Sequence, residues 1–202
     1  MFCLCQATAS TWVAVALRDF DAVLADHAHC EMKAASTALA LALKVHDNLE
    51  MVRTLTALAK DELDHFDRVV GFLARRGLAL GLPSVDTYAI ELRKATSQAP
   101  GPANNPIVDR LLIGALIEAR SCERFKLLLD YWPDSGEREL FDFYRELFEC
   151  EARHYVQYRE LAIQFAKSTP EVIDARLHQL AQIEGRIVAR LGDGSPTPTV
   201  HG

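Results

Sequence analysis

Strand signals are almost missing from this sequence. It has no run of alternating β-branched residues and no Asn-Gly or Asp-Gly turn set between two apolar runs, which argues against a sheet protein. Glycine and proline are scarce, at 10 and 8 in 202 residues. That is too few for collagen or a low-complexity chain, and the 50% apolar content is too high for disorder. Basic residues are outnumbered, 22 against 28 acidic, for a net charge of −6. Such a chain does not hold nucleic acid by bulk charge, although a local basic patch still could. The longest uncharged stretch, Met1 to Leu17, is too short to span a bilayer. It lacks the basic start of a signal peptide and is diluted by Gln6, Thr8, Ser10 and Thr11. Cysteines are few, odd in number and scattered: Cys3, Cys5, Cys30, Cys122 and Cys150. No second pair at zinc-like spacing exists to join Cys3 and Cys5. A reducing, cytoplasmic setting without a membrane partner is the expectation.

Helical periodicity fills the chain instead. One main helix is expected from Asp19, a plausible cap, to about His46. A second starts at Asn48, carries Leu55, Leu58, Ala59, Phe66, Val69 and Leu73, and stops at Gly77. A third runs from Pro106 to before Pro133, and a fourth from about Ser135 to Lys167. A fifth opens at Thr169-Pro170 and closes at Gly192. The stretch from Leu78 to Asn105 holds Pro83, Pro100 and Pro102 and reads as a crossover with a short helix from about Ser84 to Thr96. This pattern predicts an all-α, ferritin-like four-helix bundle, with a long crossover between helices 2 and 3 and additional short and C-terminal helices. Residues 1–192 form a single domain in this reading, and 193–202 a frayed tail.

The anomaly is acid and imidazole on apolar stripes. Glu31 interrupts a face of Leu24, Ala28, Ala35, Ala38 and Ala42. Glu62 and His65 interrupt Leu55, Leu58, Phe66 and Val69, and Glu118 interrupts Leu111, Ala115, Cys122, Phe125 and Leu129. Glu151 and His154 break the face of Tyr144, Leu147, Phe148, Tyr155 and Tyr158. A glutamate rarely goes inside unless it is paired or binds a metal.

Spacing then points to chemistry. Residues three apart on a helix lie about 60° apart around the axis and about 4.5 Å along it, so Glu-x-x-His can reach one ion. The chain has two such motifs, Glu62-Leu63-Asp64-His65 and Glu151-Ala152-Arg153-His154. Each follows a lone glutamate, Glu31 by 31 positions and Glu118 by 33. Four carboxylates and two imidazoles make the ligand set of a dimetal carboxylate bundle, and two divalent ions would neutralise the four acids. One imidazole per ion, oxygen-rich ligation and no thiolate suit iron or manganese better than zinc.

Single motifs carry less. A lone Glu-x-x-His is common on solvated helices, and a lone glutamate at a helix edge is ordinary; it is the ordered set of six that signals metal. Glu118 has a rival in Glu123, five residues on. Glu118 shares its face with Gly114, Ala115, Ser121 and Cys122, which leave room for a cluster, whereas Glu123 sits with Arg120 and Lys126 and reads as a salt-bridge residue. Cys30 and Cys150 adjoin ligands in sequence, but neighbours on a helix point about 100° apart, so they read as ordinary buried cysteines. Tyr155 and Tyr158 read as packed aromatics.

Four stretches carry a family resemblance: His29 to Ser36, Lys60 to Phe66, Ile117 to Phe125 (Ile-Glu-Ala-Arg-Ser-Cys-Glu-Arg-Phe) and Glu151 to Tyr155. From about Trp12 to about Leu191 the chain resembles the MiaE family of bacterial tRNA hydroxylases. The resemblance implies an O₂-dependent non-haem di-iron monooxygenase. Its substrate would be 2-methylthio-N6-isopentenyladenosine at position 37 of tRNA, hydroxylated at one terminal methyl of the isopentenyl group. It further implies that Glu31, Glu62, His65, Glu118, Glu151 and His154 hold two iron ions. No flavin, nicotinamide or ferredoxin-like motif appears, so electrons come from an external reductase, a separate donor protein. Residues Met1 to Ser10 carry no part of the pattern, and the oligomeric state stays open.

An acidic chain that meets an anticodon loop needs local cations. Candidates are Arg75 and Arg76, Arg93 and Lys94, and Arg186 and Arg190. The alternative functional reading is a ferritin- or rubrerythrin-like iron-handling or peroxide-scavenging protein. A rubrerythrin would add a small Cys-x-x-Cys iron domain, which is not found.

Overall fold

Side-chain caps open four of the helices in the computed structural model, which describes residues 2–101, 103, 105–132 and 136–192. Seven helices are present among them: α1 Thr11–Arg18, α2 Phe20–Ala42, α3 Leu49–Arg75, α4 Thr87–Ser97, α5 Pro106–Asp130, α6 Arg138–Ala166 and α7 Pro170–Gly192. Asp19 caps α2 by accepting from the Ala22 amide, and Asn48 caps α3 through the Met51 amide at 3.2 Å. Asp86 does the same for α4 at 2.9 Å, and Asn105 for α5 at 2.8 Å, with Pro106 in the first turn.

The α3 end is equally local in origin. Gly77 takes φ +68°, its amide donates to Ala74 O, and the Leu78 amide donates to Leu73 O. This is a Schellman closure, which favours glycine at the left-handed position. At the end of α6 that position falls to Lys167, at φ 48°.

Two departures from expectation stand out. Helix α1 was not foreseen; it buries Val13 and Ala16 in a stretch read as uncharged but without helical punctuation. The crossover helix α4 begins at Thr87, because Asp86 and not Ser84 provides the cap. The expected fourth-helix start at Ser135 and the tail 193–202 lie outside the described residues.

The helices fall into two compact units, one spanning Ala14–Val85 and one joining the chain up to Val13 with the chain from Asp86 onward. In the first, α2 and α3 pack as a helical hairpin. Helix α2 buries Val23, Leu24, Ala28, Ala35, Ala38 and Leu41, and α3 buries Met51, Leu55, Leu58, Ala59, Val69 and Leu73. In the second, α5 and α6 pack together, and α7 packs on α4, α5 and α6. Gly114 lets the hairpin close: a Cβ there would lie 3.0 Å from the Tyr158 ring. Each unit carries one lone glutamate and one Glu-x-x-His motif, so the near-repeat in the sequence is also a division of the structure. No described helix is long and apolar enough to cross a membrane.

Candidate metal centre

In the Ala14–Val85 unit the site grows from two helix faces. Glu31 on α2 and Glu62 and His65 on α3 are each 5% exposed or less. They bring one potential ligand atom apiece to within 4.8 Å of one another. His65 Nδ1 lies 3.6 Å from Glu31 Oε2 and 3.6 Å from Glu62 Oε2. That distance is past hydrogen bonding, yet two donors so spaced subtend about 120° at an ion held at about 2.1 Å. Three hard or borderline donors around that point fit a divalent ion.

Glu31 has a further neighbour. His27, one turn earlier on α2 and wholly buried, places Nε2 2.5 Å from Glu31 Oε1. Burial works to raise the Glu31 pKa, but the His27 imidazole overcomes it, and the carboxyl is held down at about 2. Glu31 is therefore a carboxylate at neutral pH, the form a metal requires.

The second unit repeats the arrangement. Glu118 on α5 and Glu151 and His154 on α6 are buried and likewise within 4.8 Å of one another. His154 Nδ1 lies 3.0 Å from Glu151 Oε2, so in both motifs the Nδ1 edge of the histidine turns to its own glutamate. The outer nitrogen, His154 Nε2, meets the Cys150 sulfur at 3.5 Å. Cys122 is buried on α5. Its thiol is pushed up by burial and then by the Glu151 and Glu118 carboxylates, so it stays protonated and offers no thiolate.

Glu118 and Glu123 separate cleanly. Glu118 faces Glu151 and His154, while Glu123 accepts from the Thr8 hydroxyl at 2.6 Å, from the Thr8 amide at 3.2 Å and from Arg120. Glu123 is thus a salt-bridge residue that ties down the N-terminal segment. Tyr155 also belongs to that segment: its ring meets Phe2 at 4.5 Å, and its hydroxyl is hydrogen-bonded to Cys3. Tyr158 packs on Gly114. Cys30 is near Asp26, as an ordinary buried thiol.

Sequence reasoning missed His27, Cys150 as a neighbour of His154, and the buried Arg120–Glu184 pair. The first two were legible: both stand four residues before a candidate ligand, on the same helical face. The third needed the fold, since 64 positions separate its members.

The candidate cations fare unequally. Arg76 pairs with Asp21 and lies over the Phe20 ring, and Arg75 lies over Phe72. Lys94 of α4 and Arg186 and Arg190 of α7 instead line adjoining hollows of about 290 and 320 Å³, with Gln98 and Ile187 between them. Arg190 is paired with Glu91; Lys94 and Arg186 have no ion-pair partner among the described residues. Arg93 is exposed on the same helix as Lys94.

Comparison with known proteins places the chain in a family. The model of the tRNA-(MS[2]IO[6]A)-hydroxylase (MiaE) family matches residues 1–201. The chain belongs to the MiaE family. A tRNA 2-(methylsulfanyl)-N(6)-isopentenyladenosine(37) hydroxylase from Pseudomonas putida is 38% identical over 179 residues, covering 88% of this chain and 83% of its own. The Salmonella typhimurium protein of the same name is 33% identical over 141 residues, covering 69% and 48%. Among solved structures, a Synechococcus protein with aldehyde deformylating oxygenase activity superposes with a TM-score of 0.86 at 30% identity, over 100% of this chain and 96% of that one. This MiaE-family chain therefore has an all-α, ferritin-like fold, as its helix pattern predicts. Its two buried carboxylate–histidine triads suit a pair of iron ions.

Proposed function

We propose that this tRNA-modifying enzyme hydroxylates the isopentenyl group of 2-methylthio-N6-isopentenyladenosine at position 37, in the anticodon loop. The observation that carries the reading is that a chain of the MiaE family holds all six expected ligand types in two buried triads. In this reading Glu31, Glu62, His65, Glu118, Glu151 and His154 hold the two iron ions.

A bound di-iron centre supplies the activation of O₂ for insertion into a C–H bond. The balanced reaction converts a terminal methyl, O₂, two electrons and two protons to a hydroxymethyl and water. The electrons come from a separate donor protein. The chain's own residues do the rest. Four glutamates offset the charge of two divalent ions, which makes their burial affordable. His65 and His154 each hold Nδ1 toward the glutamate of their own motif. Burial of the triads keeps bulk water from the oxidant. The modified base has to leave the anticodon stack to reach them, which is easier in a loop than in a duplex.

For the RNA backbone, the hollows lined by Lys94 and Arg186 are the better-supported surface, because neither residue has an ion-pair partner among the described residues, whereas Arg76 pairs with Asp21 and Arg75 lies over Phe72. Such contacts position the RNA and carry no sequence information. The tRNA substrate sets the reaction in the cytoplasm.

Mass spectrometry of tRNA nucleosides from cells with and without the gene tests the reading. Deletion is expected to replace the hydroxylated nucleoside with its isopentenyl precursor. An unchanged nucleoside profile, with disturbed iron or peroxide handling, would favour the iron-handling alternative.

A further inference from the structure

The two carboxylate oxygens of Glu31 meet different histidines. Oε1 lies 2.5 Å from His27 Nε2, and Oε2 lies 3.6 Å from His65 Nδ1. Both imidazoles are buried, and His27 is completely enclosed. His27 and Glu31 stand four residues apart on α2, so the contact runs along one face of a rigid helix and depends on no loop.

We propose that His27 is a positioning residue: it donates from Nε2 to Glu31 Oε1 and leaves Oε2 as the single atom that Glu31 turns toward the metal. The inference rests on the di-iron reading and deepens it. A carboxylate free to rotate can chelate an ion through both oxygens or bind through either one. A short hydrogen bond from a buried imidazole to one oxygen removes that choice, because chelation would break a charge-assisted bond inside the protein. Glu31 would then bind through one oxygen and keep a coordination position open at its ion. Partners of this kind orient ligands in many metal sites, and their loss commonly lowers metal affinity about 10–100-fold.

The test uses the full chain loaded anaerobically with ⁵⁷Fe(II), as wild type and as His27→Gln, His27→Asn and His27→Leu. A glutamine amide can occupy the place of Nε2, whereas asparagine falls short of it and leucine cannot donate. The readouts are the rate of iron release to a chelator and the Mössbauer spectrum. Wild type and His27→Gln should hold two irons and share their spectra. His27→Asn and His27→Leu should release one iron about 10–100-fold faster, with altered quadrupole splitting for one site only.

His27→Asn or His27→Leu with wild-type release and an unchanged spectrum would overturn the proposal while leaving the di-iron reading intact. His27→Gln behaving like His27→Leu would also overturn it, since the role would not be that of an Nε2 donor. Should His27→Leu fail to fold, the contrast between His27→Gln and His27→Asn decides alone. Wild-type protein that binds no iron would overturn the di-iron reading itself.

Discussion

Arg120 donates through Nε and Nη2 to the two carboxylate oxygens of Glu184, each at 2.9 Å, and both side chains are fully buried. The pair joins α5, two residues beyond Glu118, to α7. The same guanidinium reaches Gln6 O at 2.9 Å and Thr8 Oγ1 at 3.2 Å, while Tyr88 donates to Glu184 at 3.0 Å. One network therefore fixes the back of the helix that presents Glu118.

Breaking this pair on one side should be costly. Arg120→Met leaves Glu184 buried without its partner guanidinium, and a loss of about 3–5 kcal/mol is expected. Arg120→Met/Glu184→Leu should recover part of it, because Glu184 no longer stands without its partner, although Glu123 still loses the Arg120 contact. Urea denaturation of the two variants measures the difference; equal losses would show that packing, not charge, dominates.

Glu118 and Glu123 should respond oppositely to truncation. Glu118→Ala is expected to lose iron. Glu123→Ala should keep iron and most activity but release the Thr8 contacts, at a stability cost of about 1.5–3 kcal/mol. Iron analysis with a thermal melt reads both, and iron loss in Glu123→Ala alone would reverse the assignment.

These two glutamates also mark what the sequence could and could not disclose. Glu118 was legible because its face neighbours are small, and the ion-pair role of Glu123 was legible from Arg120 and Lys126 one turn away. The Thr8 contact was not, since 115 positions separate the residues and nothing in the first ten advertises a partner. Helix starts were legible at Asp19 and Asn48, whose side chains cap amides three residues on, and at Pro106 in the first turn of α5, whereas the Asp86 cap of α4 was not. Helix α1 was missed for want of a cap or an interrupted stripe. The six candidate ligands were legible through helical spacing, and the same i to i+4 spacing before Glu31 made His27 legible although it was passed over.

Adding one methyl at Gly114 should strain the α5–α6 hairpin. The Tyr158 ring would have to move from a Cβ 3.0 Å away. Overpacking costs about 1–3 kcal/mol, partly offset by about 1 kcal/mol of better helix propensity. Gly114→Ala is expected to lower the denaturation midpoint, and Gly114→Ala/Tyr158→Leu to lose less than the two single losses added together. Additive losses would show that the ring does not limit the contact.

The metal-free protein should be acid-sensitive through Glu31. Its folded pKa is depressed from 4.5 to about 2, with the His27 interaction overcoming burial. The stabilisation is therefore fully present above the unfolded value and lost as pH falls through the window from about 4.5 to about 2. Urea midpoints across that window should fall more steeply for wild type than for Glu31→Gln. Parallel curves would remove Glu31 as the source.

The most direct test of the central claim is the origin of the oxygen in the product. Enzyme loaded with two irons, reduced by two electrons and given prenylated tRNA under ¹⁸O₂ is expected to yield the hydroxylated nucleoside carrying one ¹⁸O, and Glu62→Ala or Glu151→Ala should yield none. Product oxygen drawn from water, or iron oxidised repeatedly with the tRNA left unchanged, would contradict the account.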